Sequence, residues 1–119
     1  MDSNALTIEQ EVSLWPGVAT APGRFGAVAF RYGKREIGHR DRIADLPVTP
    51  EMREDLLAKG RARAHRAGVK GYISYPIQGP EDVSVVIEIL GRNYDRAKTA
   101  AESVARSRAA SQRDTEDEA

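Results

Sequence analysis

The stretch Ala27 to Asp41, AVAFRYGKREIGHRD, decides the fold. Two strand-like runs flank the pair Gly33-Lys34, and a two-residue spacing of this kind predicts a tight β-hairpin. In a regular hairpin Tyr32 faces Arg35, Phe30 faces Ile37 and Val28 faces His39, so all six side chains share one side of the sheet. His39 then stands at a strand end beside an apolar face, either as a packed, hydrogen-bonded histidine or as a chemical group. Glu36 points to the other face, near Gly38, where it can pair with an arginine such as Arg35 or Arg40. Small Ala27 and Ala29 line that opposite side.

Toward the N-terminus, Thr7 followed by Gln10 is a capping-box pattern, and Ile8, Val12 and Trp15 recur at helical spacing. They predict a short helix ended by Pro16-Gly17, with Trp15 in the core. Val18 to Thr20 reads as a short edge strand. Beyond the hairpin, ADLPVTPEM reads as a connection, after which Thr49 and Pro50 supply an N-cap and an N1 proline. The helix they open stops at Lys59-Gly60 and carries Met52, Leu56 and Leu57 on its buried stripe. Arg61 to Lys70 shows no clear period and reads as a basic loop or a ragged helical turn. Gly71 to Ile77 alternates as a strand with Ile73, Tyr75 and Ile77 on one face, while Pro76 places it at a sheet edge or strand end.

Gly79-Pro80-Glu81-Asp82 opens the strongest helix, with Val83, Val86, Ile87, Leu90, Tyr94 and Ala97 recurring along it. From Ser107 the chain is polar and is expected to be disordered. The fold class expected is therefore α+β, an antiparallel sheet of three to four strands with helices packed mainly on one face and a long C-terminal helix. The organisation expected is a flexible N-terminus at 1–6, one α+β domain over 7–106 and an acidic tail over 107–119.

Composition narrows the function classes. The 119 residues carry no net charge and no cysteine, which excludes disulfide scaffolds, cysteine nucleophiles and thiolate zinc sites. No apolar run approaches the roughly 20 residues needed to span a bilayer, and the start lacks the pattern of a signal peptide, so a cytoplasmic protein without membrane contact is expected. Charge is unevenly spread: Arg31 to Lys70 holds 11 Lys/Arg against 6 Asp/Glu, whereas Ser107 to Ala119 holds 2 against 4. The middle is basic and the end acidic.

Several strings, Glu36-Ile37-Gly38-His39, Asp45-Leu46-Pro47, Gly60 with His65, Gly71-Tyr72-Ile73-Ser74-Tyr75 and Asn93-Tyr94, together resemble the luciferase-domain family. It comprises small bacterial proteins that share a domain with fungal luciferases and are sometimes labelled phospholipase/luciferase-like. The resemblance covers roughly Val12 to Ala97. The family pattern E-[IL]-G-H-x-H has Asp41 here in place of the second histidine. Tyr72 stands where tryptophan is usual, and Val48-Thr49 where Phe-Pro is common. The resemblance implies a small organic ligand, phenolic or oxygenated, and acid-base or oxygen-dependent chemistry. The order of elements is also similar to the MmcQ/YjbR-like family, which implies nucleic-acid binding on architecture alone.

His39, Asp41 and His65 are the candidate catalytic residues, since imidazole titrates near neutrality and a carboxylate can fix its tautomer. The three are donors enough for a weak divalent site, but with no cysteine to add to them no metal is expected, and no cofactor motif is present. Gly33 to His39 spells G-x-x-x-x-G-H but lacks the lysine and Ser/Thr of a phosphate-binding loop. Arg40, Arg42, Arg61, Arg63, Arg66 and Lys70 form a basic set that can contact phosphates, of nucleic acid or of a small anion, or simply remain solvated. Three functions follow: a small-ligand protein with a pocket near His39, a nucleic-acid module using segment 61–70, or a protein-interaction domain using the alanine-rich end of the last helix. A monomer or homodimer suits each.

Overall fold

The hairpin read from the sequence forms the middle of a larger sheet. The computed structural model describes residues 3–22, 27–60, 62–65 and 68–118. In chain order these form α1 (Ser3–Val12), β1 (Val18–Pro22), β2 (Val28–Tyr32), β3 (Arg35–Arg40), β4 (Ile43–Pro47), α2 (Pro50–Ala58), β5 (Arg63–Ala64), β6 (Tyr72–Pro76) and α3 (Pro80–Glu118). The architecture is α+β, with an antiparallel sheet in the order β1-β2-β3-β4-β6-β5. Six strands replace the three to four expected. The connection ADLPV contributes β4, and the basic loop contributes the two-residue β5 at the edge.

The hairpin closes at Gly33-Lys34 with Tyr32 opposite Arg35, as its spacing predicts. Its register then departs from the regular pattern. Arg31 pairs with Glu36 and Phe30 with Gly38, so Ile37 is an extra residue in β3. Such a bulge shifts the alternation of side chains by one position. His39 consequently pairs with Ala29 rather than Val28, and it leaves the Phe30 face that the regular hairpin assigned to it.

Phe30 and Gly38 of the central strands, Arg40 opposite Ala44, and Leu46 opposite Ile73 define the face covered by helices. α3 lies closest at Gly38, where an added Cβ would sit 2.6 Å from Leu90 and 2.8 Å from Leu46. A side chain there would have to push the ends of both leucines aside. Phe30, Ile37, Leu46, Ile73 and Leu90 are at most 1 % exposed and form the core with Ile8 and Val12 of α1. Glu9 of α1 pairs with Arg40 of β3, so this helix is tied to the sheet through a largely buried arginine.

α2 begins as its sequence predicts. The Thr49 hydroxyl accepts the Met52 N–H at 3.2 Å, and Pro50 occupies the first turn, where its missing N–H costs nothing. Met52 and Leu56 are half-buried against the core rather than fully enclosed. α1 starts at Ser3, within the segment expected to be flexible, and ends before Trp15. Trp15 instead packs on Tyr94, their ring centroids 5.4 Å apart, and the Tyr94 hydroxyl donates to the Pro16 carbonyl at 2.6 Å.

α3 has 39 residues, so at 1.5 Å per residue it accounts for about 58 Å of the molecule's 60 Å long axis. Val83, Val86, Ile89, Leu90 and Ala97 face the core, while every residue from Lys98 to Ser111 is exposed. The helix continues through the segment expected to be disordered. No helix among the described residues is long and apolar enough to cross a membrane.

Candidate functional site

The face of the sheet turned away from the helices carries the chain's densest set of polar side chains. Its centre is set by the bulge in β3. The bulge at Ile37 brings Glu36 and His39, three residues apart, to the same face, where strict alternation would separate them. Opposite His39 on β4 stands Asp45, and opposite Asp45 on β6 stands Ser74.

These groups form one chain of contacts. The Glu36 carboxylate lies 3.3 Å from His39 Nδ1, and Asp45 Oδ2 lies 3.0 Å from His39 Nε2. Asp45 Oδ1 accepts the Ser74 hydroxyl at 2.7 Å and lies 3.6 Å from His65 Nε2. The Val69 N–H points to His65 Nδ1 at 3.4 Å. The Tyr72 hydroxyl donates to the second carboxylate, Glu36, at 2.8 Å. The Tyr72 ring stands between the two imidazoles, its centroid 5.7 Å from His65 and 6.4 Å from His39.

The electrostatics follow from this wiring. Hydrogen bonding to Asp45, and then to Glu36, raises the His39 pKa to about 9, against the pull of partial burial, so His39 is an imidazolium at neutral pH. The same imidazolium holds the Glu36 carboxyl below its ordinary value. Burial, and the bond to ionised Glu36, push the Tyr72 phenol up to about 12. Asp45 is 1 % exposed, a depth at which a carboxylate needs several donors, and β3, β6 and the segment after β5 supply them. The reachable parts are Glu36 and His39, whose side chains are 27 % and 30 % exposed.

The family model of the luciferase domain matches residues 34–93, half of the chain. The chain belongs to the luciferase-domain family. The matched stretch begins at the hairpin turn and contains every side chain of the constellation just described. No curated protein and no solved structure matches the chain significantly.

Within this luciferase domain the structure joins two of the three candidate catalytic residues, because His39 and His65 contact the same Asp45 carboxylate. Asp41 occupies a different place. It lies in the β3–β4 turn, where its Oδ1 accepts the Ile43 N–H at 2.8 Å, and the carboxylate opposite His39 is Asp45. Glu36 pairs with His39 and Tyr72 rather than with the arginines expected for it.

The basic set is dispersed. Arg40 is 8 % exposed on the helix-covered face and paired with Glu9, so it is not available to an external phosphate. Arg42 is exposed in the β3–β4 turn, Arg63 is exposed on the edge strand β5, and Lys70 is exposed before β6. Arg61 and Arg66 lie outside the described residues. No group of three or more His, Asp or Glu among the described residues is arranged to hold a metal ion.

Sequence reasoning missed Asp45, Glu36, Tyr72 and Ser74 as members of the site. A signal for Asp45 exists: it is a lone carboxylate inside the otherwise apolar run Ile43-Ala44-Asp45-Leu46, and an acidic residue in such a setting needs partners. Glu36 carries no such signal, because its position depends on the bulge.

Proposed function

We propose that this luciferase-domain protein binds a small organic molecule bearing a phenolic or similar hydroxyl on the open face of its sheet, with His39 donating a hydrogen bond to the ligand's oxygen. The observation that carries this reading is the seating of the His39 imidazolium between a reachable carboxylate, Glu36, and a buried one, Asp45. The buried side is held by Ser74 and faces His65, so Nε2 keeps its partner when a ligand arrives. The Glu36 side is open to exchange. A ligand hydroxyl that displaces Glu36 from Nδ1 accepts the imidazolium N–H with its oxygen and donates its own O–H to the released carboxylate, so that no proton changes owner.

Hydrogen-bond matching supports the phenolic class: a phenol oxygen can accept the His39 Nδ1 N–H while its O–H donates to Glu36, replacing the bond that the ligand displaces. Tyr72 offers a ring beside the same nitrogen, so an aromatic ligand gains a stacking partner at the point where its oxygen is held. Asp45 acts through His39 as a positioning and charge-balancing residue.

The test is a titration followed by imidazole NMR resonances, using p-cresol and, as its counterpart without the hydroxyl, toluene. p-Cresol is expected to shift the His39 resonances and toluene to leave them in place, and His39→Gln, with its fold verified by Trp15 fluorescence, is expected to lose p-cresol binding. No shift with p-cresol, or equal binding by the variant, would overturn the proposal.

A further inference from the structure

We infer that Asn93 is a positioning residue for this site, acting from the helix-covered side: its carboxamide replaces a missing rung between β3 and β4 and so sets the spacing of Glu36, His39 and Asp45. The inference rests on reading the open face as a ligand site, but its test uses no ligand.

The ladder between β3 and β4 is short. It pairs Arg40 with Ala44 and His39 with Asp45, and the Asp41 N–H bonds to the Ile43 carbonyl beyond them. In an antiparallel ladder, hydrogen-bonded pairs alternate with non-bonded ones, so the bond at Asp41 and Ile43 makes His39 with Asp45 a bonded pair and Ile37 with Pro47 the next. That next rung cannot form normally. Pro47 has no N–H to give to the Ile37 carbonyl, and Ile37 is the bulged residue of β3. Two strand carbonyls are left facing one another.

Asn93 of α3 fills the gap. Its Nδ2 donates to the Ile37 carbonyl at 2.9 Å and to the Pro47 carbonyl at 2.8 Å, so both hydrogens of one amide nitrogen are used, one on each strand. Its Oδ1 accepts from Arg96, which fixes the orientation of the amide. The residue is 3 % exposed, and the close approach of α3 at Gly38 brings it within reach. Aspartate has the same shape but no donor, leucine has similar bulk but no polar atom, and glutamine is one methylene longer. Ile37 lies directly between Glu36 and Gly38-His39, so a bond that holds its carbonyl also holds the two residues whose side chains meet on the opposite face.

The experiment compares wild type with Asn93→Leu and with the double variant Asn93→Leu/Pro47→Ala, which returns a backbone N–H to the missing rung. Two quantities are read: stability in denaturant, and the His39 imidazole titration in the folded protein by NMR. Wild-type His39 is expected to titrate near 9. In Asn93→Leu it should titrate at least one unit lower, a tenfold loss of preference for the imidazolium, and the double variant should recover part of that drop. A role in stability alone would lower the unfolding midpoint and leave the His39 titration of the folded protein in place, and that result overturns the inference. If Asn93→Leu does not fold, Asn93→Ser, which can donate to only one of the two carbonyls, is read the same way. A ligand titration that finds nothing refutes the proposed binding and leaves this measurement decisive by itself.

Discussion

The two faces of the β3–β4 pair are built by opposite rules. On the helix side, Leu46 and Gly38 are enclosed with Leu90, and close contact is the requirement: a Cβ at Gly38 would displace the ends of Leu90 and Leu46. On the open side, His39, Glu36 and Asp45 lie on the same two strands, and the requirement is partner choice: each donor must find its acceptor or leave a charge uncompensated. The covered face draws its stability from non-directional burial. The open face depends on wiring between charged groups, so its response to pH should distinguish it from the covered face.

Adjacent residues of one strand provide the sharpest contrast. Phe30 is fully buried and its neighbour Arg31 is exposed opposite Glu36. Phe30→Ala should cost about 3–5 kcal/mol in denaturant unfolding, from lost transfer energy and the cavity left behind. Arg31→Ala should stay within about 0.5 kcal/mol, as befits an exposed charge. Comparable costs for the two would break the two-faced description of the sheet.

The open face should make stability depend on pH through His39 and Glu36. His39 has a folded-state pKa raised from 6.5 to about 9, so its contribution is fully present below about pH 6.5 and is lost as pH rises toward and through 9. Glu36 is lowered from 4.5, so its contribution is present above that value and is lost as pH falls through its lower folded value. Together they predict greatest stability between about pH 4.5 and 6.5 and a fall in melting temperature from pH 6.5 to 9. Asp45→Asn removes the carboxylate that holds the His39 imidazolium most strongly and should flatten the alkaline limb, at a cost of roughly 1–3 kcal/mol for the weakened buried network. An unchanged alkaline limb in that variant would show that Asp45 does not hold the His39 proton.

How much of this was legible in the sequence depended on whether the cause was local. The Gly33-Lys34 turn, the Thr49 cap with Pro50, and the apolar stripe of α3 all arise from neighbouring residues, and each was readable. The bulge at Ile37 was not, because what accompanies it is distant in sequence: Leu90 against Gly38, and Asn93 on the Ile37 carbonyl. β4 was hidden because Asp45 and Pro47 are loop-forming residues by composition, tolerated here by partners on β3, β6 and α3. β5 has two residues, too few to show a period. The two histidines of the site could be read, but the carboxylate between them was sought two residues along the strand, at Asp41, whereas the sheet supplies it across the strand, at Asp45. The family strings contained Asp45, yet a string states neither register nor face.

The smallest expected effect concerns the helix that makes the covered face. α3 covers the sheet only with its first half: Ala97 is 3 % exposed, and from Lys98 to Ser111 every residue is exposed. An unpacked helix in water is marginal on its own, since its apolar contacts supply none of the cooperativity that tertiary packing gives the first half. Ending the chain after Glu102 should therefore change unfolding free energy by no more than about 0.5 kcal/mol, while Ala97→Lys, at the last packed position, should cost roughly 1–3 kcal/mol. Amide exchange should mark the same boundary, slow before Ala97 and fast beyond Ala101. A truncation that costs several kcal/mol would mean that the projecting half is packed in solution. With no other element against it among the described residues, its cover would come from a second molecule, and a fall in molecular size on truncation would identify that molecule as another copy.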